Sequence, residues 1–520
     1  MLQRIEVKPH TYCRYKAPEE QIAAGLYYKT NARLNTNERL KKGLRSIAAQ
    51  DDKGRFCWLL PYEPWVKQVT EGFVPPETNL YGKGDLTDKK FVAALLDYFG
   101  ITQDLFNSLR QWQRAGLADI ALCVSHAGSY ARSQIARIGA GKTLFGLCVL
   151  NSAEMPVAVA PLHLHRSWLE EAKKWNLRAP RMTSYESAHH VAGSCDRVVF
   201  DESLNLMNPH AVRHQKALKL RGPAKIAVGF TGSESSTSPM NLRWLNVVSP
   251  GCLPNDETAW RFLWGLDTEL VEVAPERKAY VTKTWNHKAI AEFVAPYVGI
   301  VDPNEIAAEL PDISYQRIYT PKPARWDMIL GGAGTEGGQS KRLSQARTLS
   351  DGFFYDDLNN PVDMDTNKLD ALATIVEQND EPIVIWGAWG HTINMAAERF
   401  KDEKPAVLTG ETDDYGAEIE RFRSGETRIL LANGRISTGM NLQRAKLMVF
   451  VSNCMFPVLR EQAVGRIARP GQKAKGVVVI DLLATGTLDE RQLDLLTTHK
   501  GESEAFVEAR LREELRRLKA

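Results

Sequence analysis

The chain has 520 residues, long enough for two or three domains, and its 25% charged and 43% apolar content is that of a globular protein. A formal charge of +3 is close to neutral and carries no overall basic signature of a nucleic-acid binder. The seven cysteines (13, 57, 123, 148, 195, 252 and 454) include no C-x-x-C pair, which argues against a zinc ribbon and a disulfide scaffold.

In chain order, the opening MLQRIEVKPH lacks the apolar core of a signal peptide, so the expected compartment is the cytoplasm. The first 50 residues hold ten Lys/Arg against four Asp/Glu, with Arg39, Lys41, Lys42 and Arg45 among them. A solvated helix face and a DNA-contacting one are both open readings. Aromatics follow (Phe56, Trp58, Tyr62, Trp65), then breaks at Pro75-Pro76 and Gly82 to Gly84, setting off residues 1–95 as an accessory domain.

Over residues 96–270 short apolar runs alternate with helical stretches: Val157 to Ala160, Val198 to Phe200 and Ile226 to Val228 predict buried strands. The most apolar stretch, Leu144 to Pro161, is broken by Asn151, Ser152, Glu154 and Pro156, and reads as helix, loop and strand rather than a membrane span. His163/His165 and His189/His190 have no second ligand cluster and read as ordinary histidines. Residues 271–370 are less regular and predict a helical insertion or linker, with a flexible loop at Gly331 to Gly338. Strands resume over 371–500 at Ile383 to Ile385, Ile429 to Leu431, Leu447 to Val451 and Val477 to Ile480. The tail, 501–520, predicts a charged helix with Phe506, Leu511 and Leu515 on one side. Continuous apolar strands with helices between them indicate parallel sheets covered on both faces, so the expected fold is α/β with two lobes.

Three motifs carry chemistry. Ala136-Arg-Ile-Gly139-Ala140-Gly141-Lys142-Thr143 precedes a helical run and fits a phosphate-cradling loop. Its glycines let backbone N–H groups approach phosphates, Lys142 reaches the β/γ-phosphates, Thr143 supplies a hydroxyl for Mg²⁺, and the helix adds its positive end. Arg197 to Phe200 runs into Asp201-Glu202, two carboxylates where a strand gives out: Asp201 to hold Mg²⁺, Glu202 to act as base on an attacking water. Gln462 to Gln472 spaces Arg466 and Arg469 three apart, on one face of a helix, as a second lobe would need to reach a γ-phosphate.

These residues, in this order, resemble superfamily-two helicases, and within them the Swi/Snf branch of double-stranded-DNA translocases, from about residue 105 to 495. Leu109-Arg-Gln-Trp-Gln113-Arg-Ala-Gly116 is similar to the family's adenine-side motif, and Ala160-Pro161-Leu162 to Trp168-Leu-Glu170 to its motif Ia. Asp201-Glu202-Ser203-Leu204 through Asn208-Pro209 resembles the DEAH box and its continuation, and Thr231-Gly232 stands where motif III belongs. Glu309-Leu310-Pro311 and Lys341 to Arg347 are similar to the stretch that accompanies the branch's helical protrusions. Leu408-Thr-Gly410, Phe422, Ser437-Thr438-Gly439-Met440-Asn441-Leu442 and Gly486-Thr487-Leu488-Asp489-Glu490 complete the match. Three positions depart from the pattern: Leu204 replaces the histidine of the DEAH box, Ser233-Glu234 loses the proline of motif III, and the phosphate loop lacks the usual acidic lead.

The resemblance implies two RecA-like lobes with ATP and Mg²⁺ between them. Gln113 would read adenine, Gly139, Ala140, Gly141, Lys142 and Thr143 would cradle the phosphates, and Gly439 and Gln462 would join from the second lobe. Lys142, Glu202, Arg466 and Arg469 would serve catalysis, with Thr143 and Asp201 on the metal. Pro161, Arg166, Thr231, Ser437, Thr438 and Asn441 would face nucleic acid. The expected partner is double-stranded or branched DNA, engaged by a monomer with no membrane attachment. The compact size resembles phage or bacterial members. A strand-separating helicase on single-stranded DNA or RNA, and a nucleotide-gated clamp with slow hydrolysis, are the alternative readings.

Overall fold

The computed structural model describes residues 8–9, 27–29, 47–50, 56–61, 65, 68 and 79–517, apart from 138, 192–194, 233–238, 256, 275–276, 303, 308, 324–325, 328–337, 357, 434–440 and 499–503. The apolar runs become two six-stranded sheets. In the first the order is Val298–Ile300, Tyr130–Ile135, Ile226–Thr231, Arg197–Phe200, Pro156–Val159 and Arg181–Thr183, every pair parallel. Side chains alternate between two cores: Val199 and Val228 join one, Val198 and Phe200 the other. That period of two, apolar on both faces, is what a sheet between two helical layers requires. Fold class follows: α/β, with two RecA-like lobes.

The strand Tyr130–Ile135 is central yet polar in sequence. Ser133 and Gln134 are buried in it because glycines lie opposite. A Cβ on Gly229 would sit 2.7 Å from Ser133 Oγ, and one on Gly299 would meet Gln134 Oε1.

The second sheet runs Asp312–Thr320, Gly476–Ala484, Leu447–Phe450, Ile383–Gly387, Ile429–Asn433 and Ala406–Leu408, again all parallel. Helices Gly338–Ser350, Asp489–Thr498 and Glu504–Arg517 pack beside it through Leu343, Leu349, Leu495, Val507, Leu511 and Leu515. The tail helix thus docks on Val507, Leu511 and Leu515; the side chain of Phe506 lies outside the described residues.

Sheet membership cuts the chain differently from the boundaries expected at 270 and 370. The intervening stretch does hold the helix Gly338–Ser350, but it also supplies Val298–Ile300 to the first sheet and Asp312–Thr320 to the second. A hairpin, Gly265–Ala274 with Arg277–Trp285, crosses the first of those boundaries. These strands escape a reading by apolar runs because they are short or half exposed: Asp312–Thr320 is an edge strand, open on nearly its whole length. All strands of the first sheet precede residue 301 and all those of the second follow residue 311. The connection between them is held to the first lobe, where Val301 is buried and Arg110 pairs with Glu309 through Nη1 and Nη2.

Near the N-terminus, Lys8–Pro9, Ile47–Gln50, Phe56–Pro61 and Tyr27–Lys29 form a small antiparallel sheet in that order. The basic residues Arg39 to Arg45 lie outside the described residues. Helix Lys89–Phe99 is N-capped by Asp88 and ended by Gly100 in the left-handed region. It buries Val92, Leu95 and Phe99 in the first lobe's core, so it spans the boundary expected at 95. No helix among the described residues is long and apolar enough to cross a membrane.

Candidate active site between the lobes

The phosphate loop leaves the strand Tyr130–Ile135 and is stitched to its neighbour by Ala136 N–H donating to the Thr231 carbonyl (3.0 Å). Gly139 and Gly141 both take φ +84°, a conformation that disfavours a Cβ, and the turn between them delivers helix Lys142–Leu150 with its N-terminus at the cleft. Two residues of the neighbouring helix brace the loop. Trp112 Nε1 donates to the Ala140 carbonyl (3.1 Å) and Gln113 Nε2 to the Gly141 carbonyl (2.9 Å). Gln113 Oε1 in turn accepts from Arg110 N–H (2.7 Å), so both ends of the amide expected to read adenine are engaged by the chain. Lys142 Nζ donates to the carbonyls of Ala136 (2.8 Å) and Arg137 (3.3 Å), curled inside the loop.

Strand Arg197–Phe200 ends in Asp201 and Glu202, both buried. Asp201 is oriented from both sides: Trp168 Nε1 donates to Oδ2 (2.9 Å) and Glu202 N–H to Oδ1 (3.0 Å), while the Tyr185 hydroxyl donates to its carbonyl. Glu202 has φ +53°, uncommon for a residue with a side chain, and Asn205 Nδ2 holds its carbonyl (2.9 Å). Leu204, in the departing DEAH position, packs against the core of the far face.

The second lobe closes over this loop. A Cβ on Gly139 would lie 2.5 Å from Pro470 Cδ and 3.8 Å from Arg469 Cβ, so the turn bearing Arg469 and Pro470 rests on the phosphate loop. Arg466 is 4% exposed and at the end of helix Pro457–Ile467. The shared helical face expected for Arg466 and Arg469 is not formed, because the helix stops at Ile467 and Arg469 stands in the turn beyond it. Pro470 disfavours helix at the residue before it, and Gly471 follows at φ +91°. Gln472 Nε2 fastens the turn by donating to the carbonyls of Ile467 and Ala445 (3.0 Å each).

Six charges meet around the cleft, Lys142, Arg466 and Arg469 against Asp201, Glu202 and Glu171. Burial raises the Glu202 carboxyl above its usual range, Lys142 opposing and Asp201 adding to the rise. Burial lowers Lys142, against the pull of Glu202 and Asp201. Burial also brings Arg466 down to about 10, with Glu202 opposing, and lowers Arg469 against Glu171. Charges from both lobes therefore feel one another directly.

Lys142, Asp201, Glu202 and Arg466 are brought together, with Gln113, Gly139, Ala140 and Gly141 around the loop and Thr143 on the first turn of its helix. Gln462 is buried on the arginine helix. Thr231, expected at nucleic acid, is fully buried beneath the phosphate loop. Arg166, expected there too, turns to Glu170 (2.8 Å) and across to Glu420 of the second lobe (3.9 Å), while Arg423 reaches back to Glu170 (4.0 Å). Pro161 opens the short turn before helix His165–Lys174, and Asn441 is exposed, accepting from Gln443 N–H (3.2 Å). Ser437, Thr438 and Gly439 lie outside the described residues. Tyr185 on Asp201 and Pro470 on Gly139 were not legible as site residues; Trp168 was, but only as part of motif Ia.

Residues 367–471 match the family model of the helicase conserved C-terminal domain. The second lobe is thus a helicase C-terminal domain. The chain's motifs place its likeness in the Swi/Snf branch. Among solved structures, the Sulfolobus solfataricus SWI2/SNF2 ATPase core in complex with double-stranded DNA is similar at 17% identity, covering 79% of this chain and 97% of its own, with a TM-score of 0.35. The C-terminal part of the Fun30 ATPase domain is similar at 13% identity over 40% of this chain and 99% of its own, TM-score 0.34. Comparison with curated proteins gave no match.

A helicase-type domain implies use of ATP, and the residue types lining the cleft suit a metal-bound triphosphate. Gly139 and Gly141, both at φ +84°, shape a loop that ends at the N-terminus of helix Lys142–Leu150, and Lys142, Arg466 and Arg469 beside it suit an anion. Thr143 and Asp201 would hold Mg²⁺, whose charge would offset that of the phosphates. Glu202, a buried carboxylate, would take a proton from water, and Arg466 would meet charge developing on the γ-phosphate.

Proposed function

We propose that this chain is an ATP-driven translocase that moves along duplex DNA and remodels or branch-migrates DNA structures. The observation that carries the reading is Pro470 of the second lobe seated on Gly139 of the first, with Arg466 beside Glu202 and Lys142. Hydrolysis then depends on lobe closure, and repeated closing and opening of two lobes can ratchet them along a phosphate backbone. The segment Pro161 to Arg166 and residues 437–441 are the proposed backbone contacts, where small hydroxyls and N–H groups hold phosphates without reading sequence.

ATP hydrolysis measured without DNA, with single strands, and with duplexes of increasing length tests this, alongside Lys142→Ala. Stimulation by duplex that rises with length and vanishes in the variant is expected. Stimulation by single strands alone would assign the strand-separating activity instead. Rates indifferent to any nucleic acid would remove the motor and leave a nucleotide-gated clamp.

A further inference from the structure

We infer that Arg460, through Asp481 and Asn453, is a positioning residue that sets where Arg466 stands in the cleft. The inference rests on the reading of that cleft as a site of ATP hydrolysis.

Arg460 and Arg466 share helix Pro457–Ile467. Six residues separate them, about 9 Å along the axis and two-thirds of a turn around it, so the two side chains leave the helix on different sides. Arg466 meets the first lobe's carboxylates. Arg460 instead grips its own sheet: Nη1 and Nη2 donate to the two oxygens of Asp481 (2.6 and 2.7 Å), on strand Gly476–Ala484. Nη1 also donates to Asn453 Oδ1 (2.6 Å), Asn453 Nδ2 donates to Asp481 Oδ1 (3.0 Å), and the guanidinium lies 4.3 Å over the Phe450 ring. Both charged side chains are at most 5% exposed.

The anchor is held from its other side as well. The Asn453 carbonyl accepts from Arg347 Nη2 (2.9 Å) on helix Gly338–Ser350 and from Gln492 Nε2 (2.6 Å) on helix Asp489–Thr498. Three helices and two strands therefore converge on the foot of the helix that carries Arg466. A buried ion pair is a weak source of stability, since its desolvation offsets most of its attraction. What a two-pronged guanidinium–carboxylate pair gives is direction, because its fork accepts one geometry. At the foot of an arginine-bearing helix, that direction becomes the placement of Arg466. Displacement by about 1 Å of a group that meets the transition state can cost about 100-fold in rate.

The test uses the full chain with Arg460→Lys, which keeps the charge and loses the fork, and the exchange Arg460→Asp with Asp481→Arg. Four quantities are read: kcat, KM for ATP, the dissociation constant of a fluorescent ATP analogue, and the thermal midpoint. Arg460→Lys is expected to lower kcat about 100-fold with analogue affinity and midpoint near wild type, and the exchange to recover kcat over either of its single changes. A kcat within threefold of wild type in Arg460→Lys would overturn the inference. So would a loss of rate matched by loss of folded protein, or an exchange variant that folds without recovering kcat. Wild-type protein lacking any Lys142-dependent hydrolysis would overturn the reading of the cleft and this role with it; active wild type with an indifferent Arg460→Lys overturns the role alone.

Discussion

Replacing Gly139 by alanine separates two effects that the structure places at one atom. The first is local: φ +84° costs a residue with a Cβ about 1–2 kcal/mol, whether the lobes are open or closed. The second exists only when the lobes are closed, because the new Cβ would stand 2.5 Å from Pro470 Cδ, well inside contact distance. Overpacking of this kind costs about 1–3 kcal/mol, which shifts closure about 5- to 150-fold toward the open form. The assay is steady-state ATP hydrolysis together with energy transfer between dyes placed one on each lobe. Gly139→Ala should lower both the rate and the closed fraction. Pro470→Ala removes Cγ and Cδ, so the double variant should regain most of the closure term and keep only the local one, a coupling that a double-mutant cycle reads directly. A double variant as open as Gly139→Ala alone would refute the reasoning, as would a single variant with wild-type closure.

The Glu202 carboxyl is raised above its ordinary value of 4.5, chiefly by burial, so its proton is held more tightly in the folded chain than in the unfolded one. Its contribution to stability is present below the unfolded value and lost as pH rises through the folded one, while the base form needed for hydrolysis appears over that same rise. The acid limb of the kcat–pH profile should lie above that of an ordinary carboxyl, disappear in Glu202→Gln, and move further up in Arg466→Ala, which removes a charge favouring ionisation. Gln113→Ala strands the Gly141 carbonyl and the Arg110 N–H, a loss of about 1–3 kcal/mol at the phosphate loop. Binding titrations should show ATP and GTP weakened alike; selective loss of ATP would return Gln113 to reading adenine.

The strands that sequence reading found are those whose apolar runs are unbroken: Val198 to Phe200, Ile226 to Val228, Ile383 to Ile385, Ile429 to Leu431. Tyr130–Ile135 was missed, though it carries the phosphate loop, because Arg132, Ser133 and Gln134 read as surface. The burial of Ser133 and Gln134 depends on Gly229 and Gly299, about 95 and 165 residues away in the chain, and no local pattern reports it. The same limit governs the site. Lys142, Asp201, Glu202 and Arg466 are legible because their chemistry demands particular residue types at particular spacings. Pro470 on Gly139, Arg166 turned to Glu420, and Tyr185 on Asp201 are consequences of how distant elements meet. The helix expected to carry both arginines shows the remedy: the Pro470-Gly471 pair already marks where it must stop.

Between the last strand of the first sheet and the first strand of the second lie only eleven residues, 301–311. Fully stretched they reach about 40 Å, and their pinning to Arg110 and the core shortens the free part further. Each lobe is therefore the other's permanent neighbour at an effective concentration in the millimolar range. Closure is first-order and indifferent to dilution, so exposed rim pairs such as Arg166–Glu420 need add little to it. Cleaving the tether would turn the same event into a bimolecular encounter, with a rate proportional to protein concentration and a cleft that empties whenever the halves drift apart.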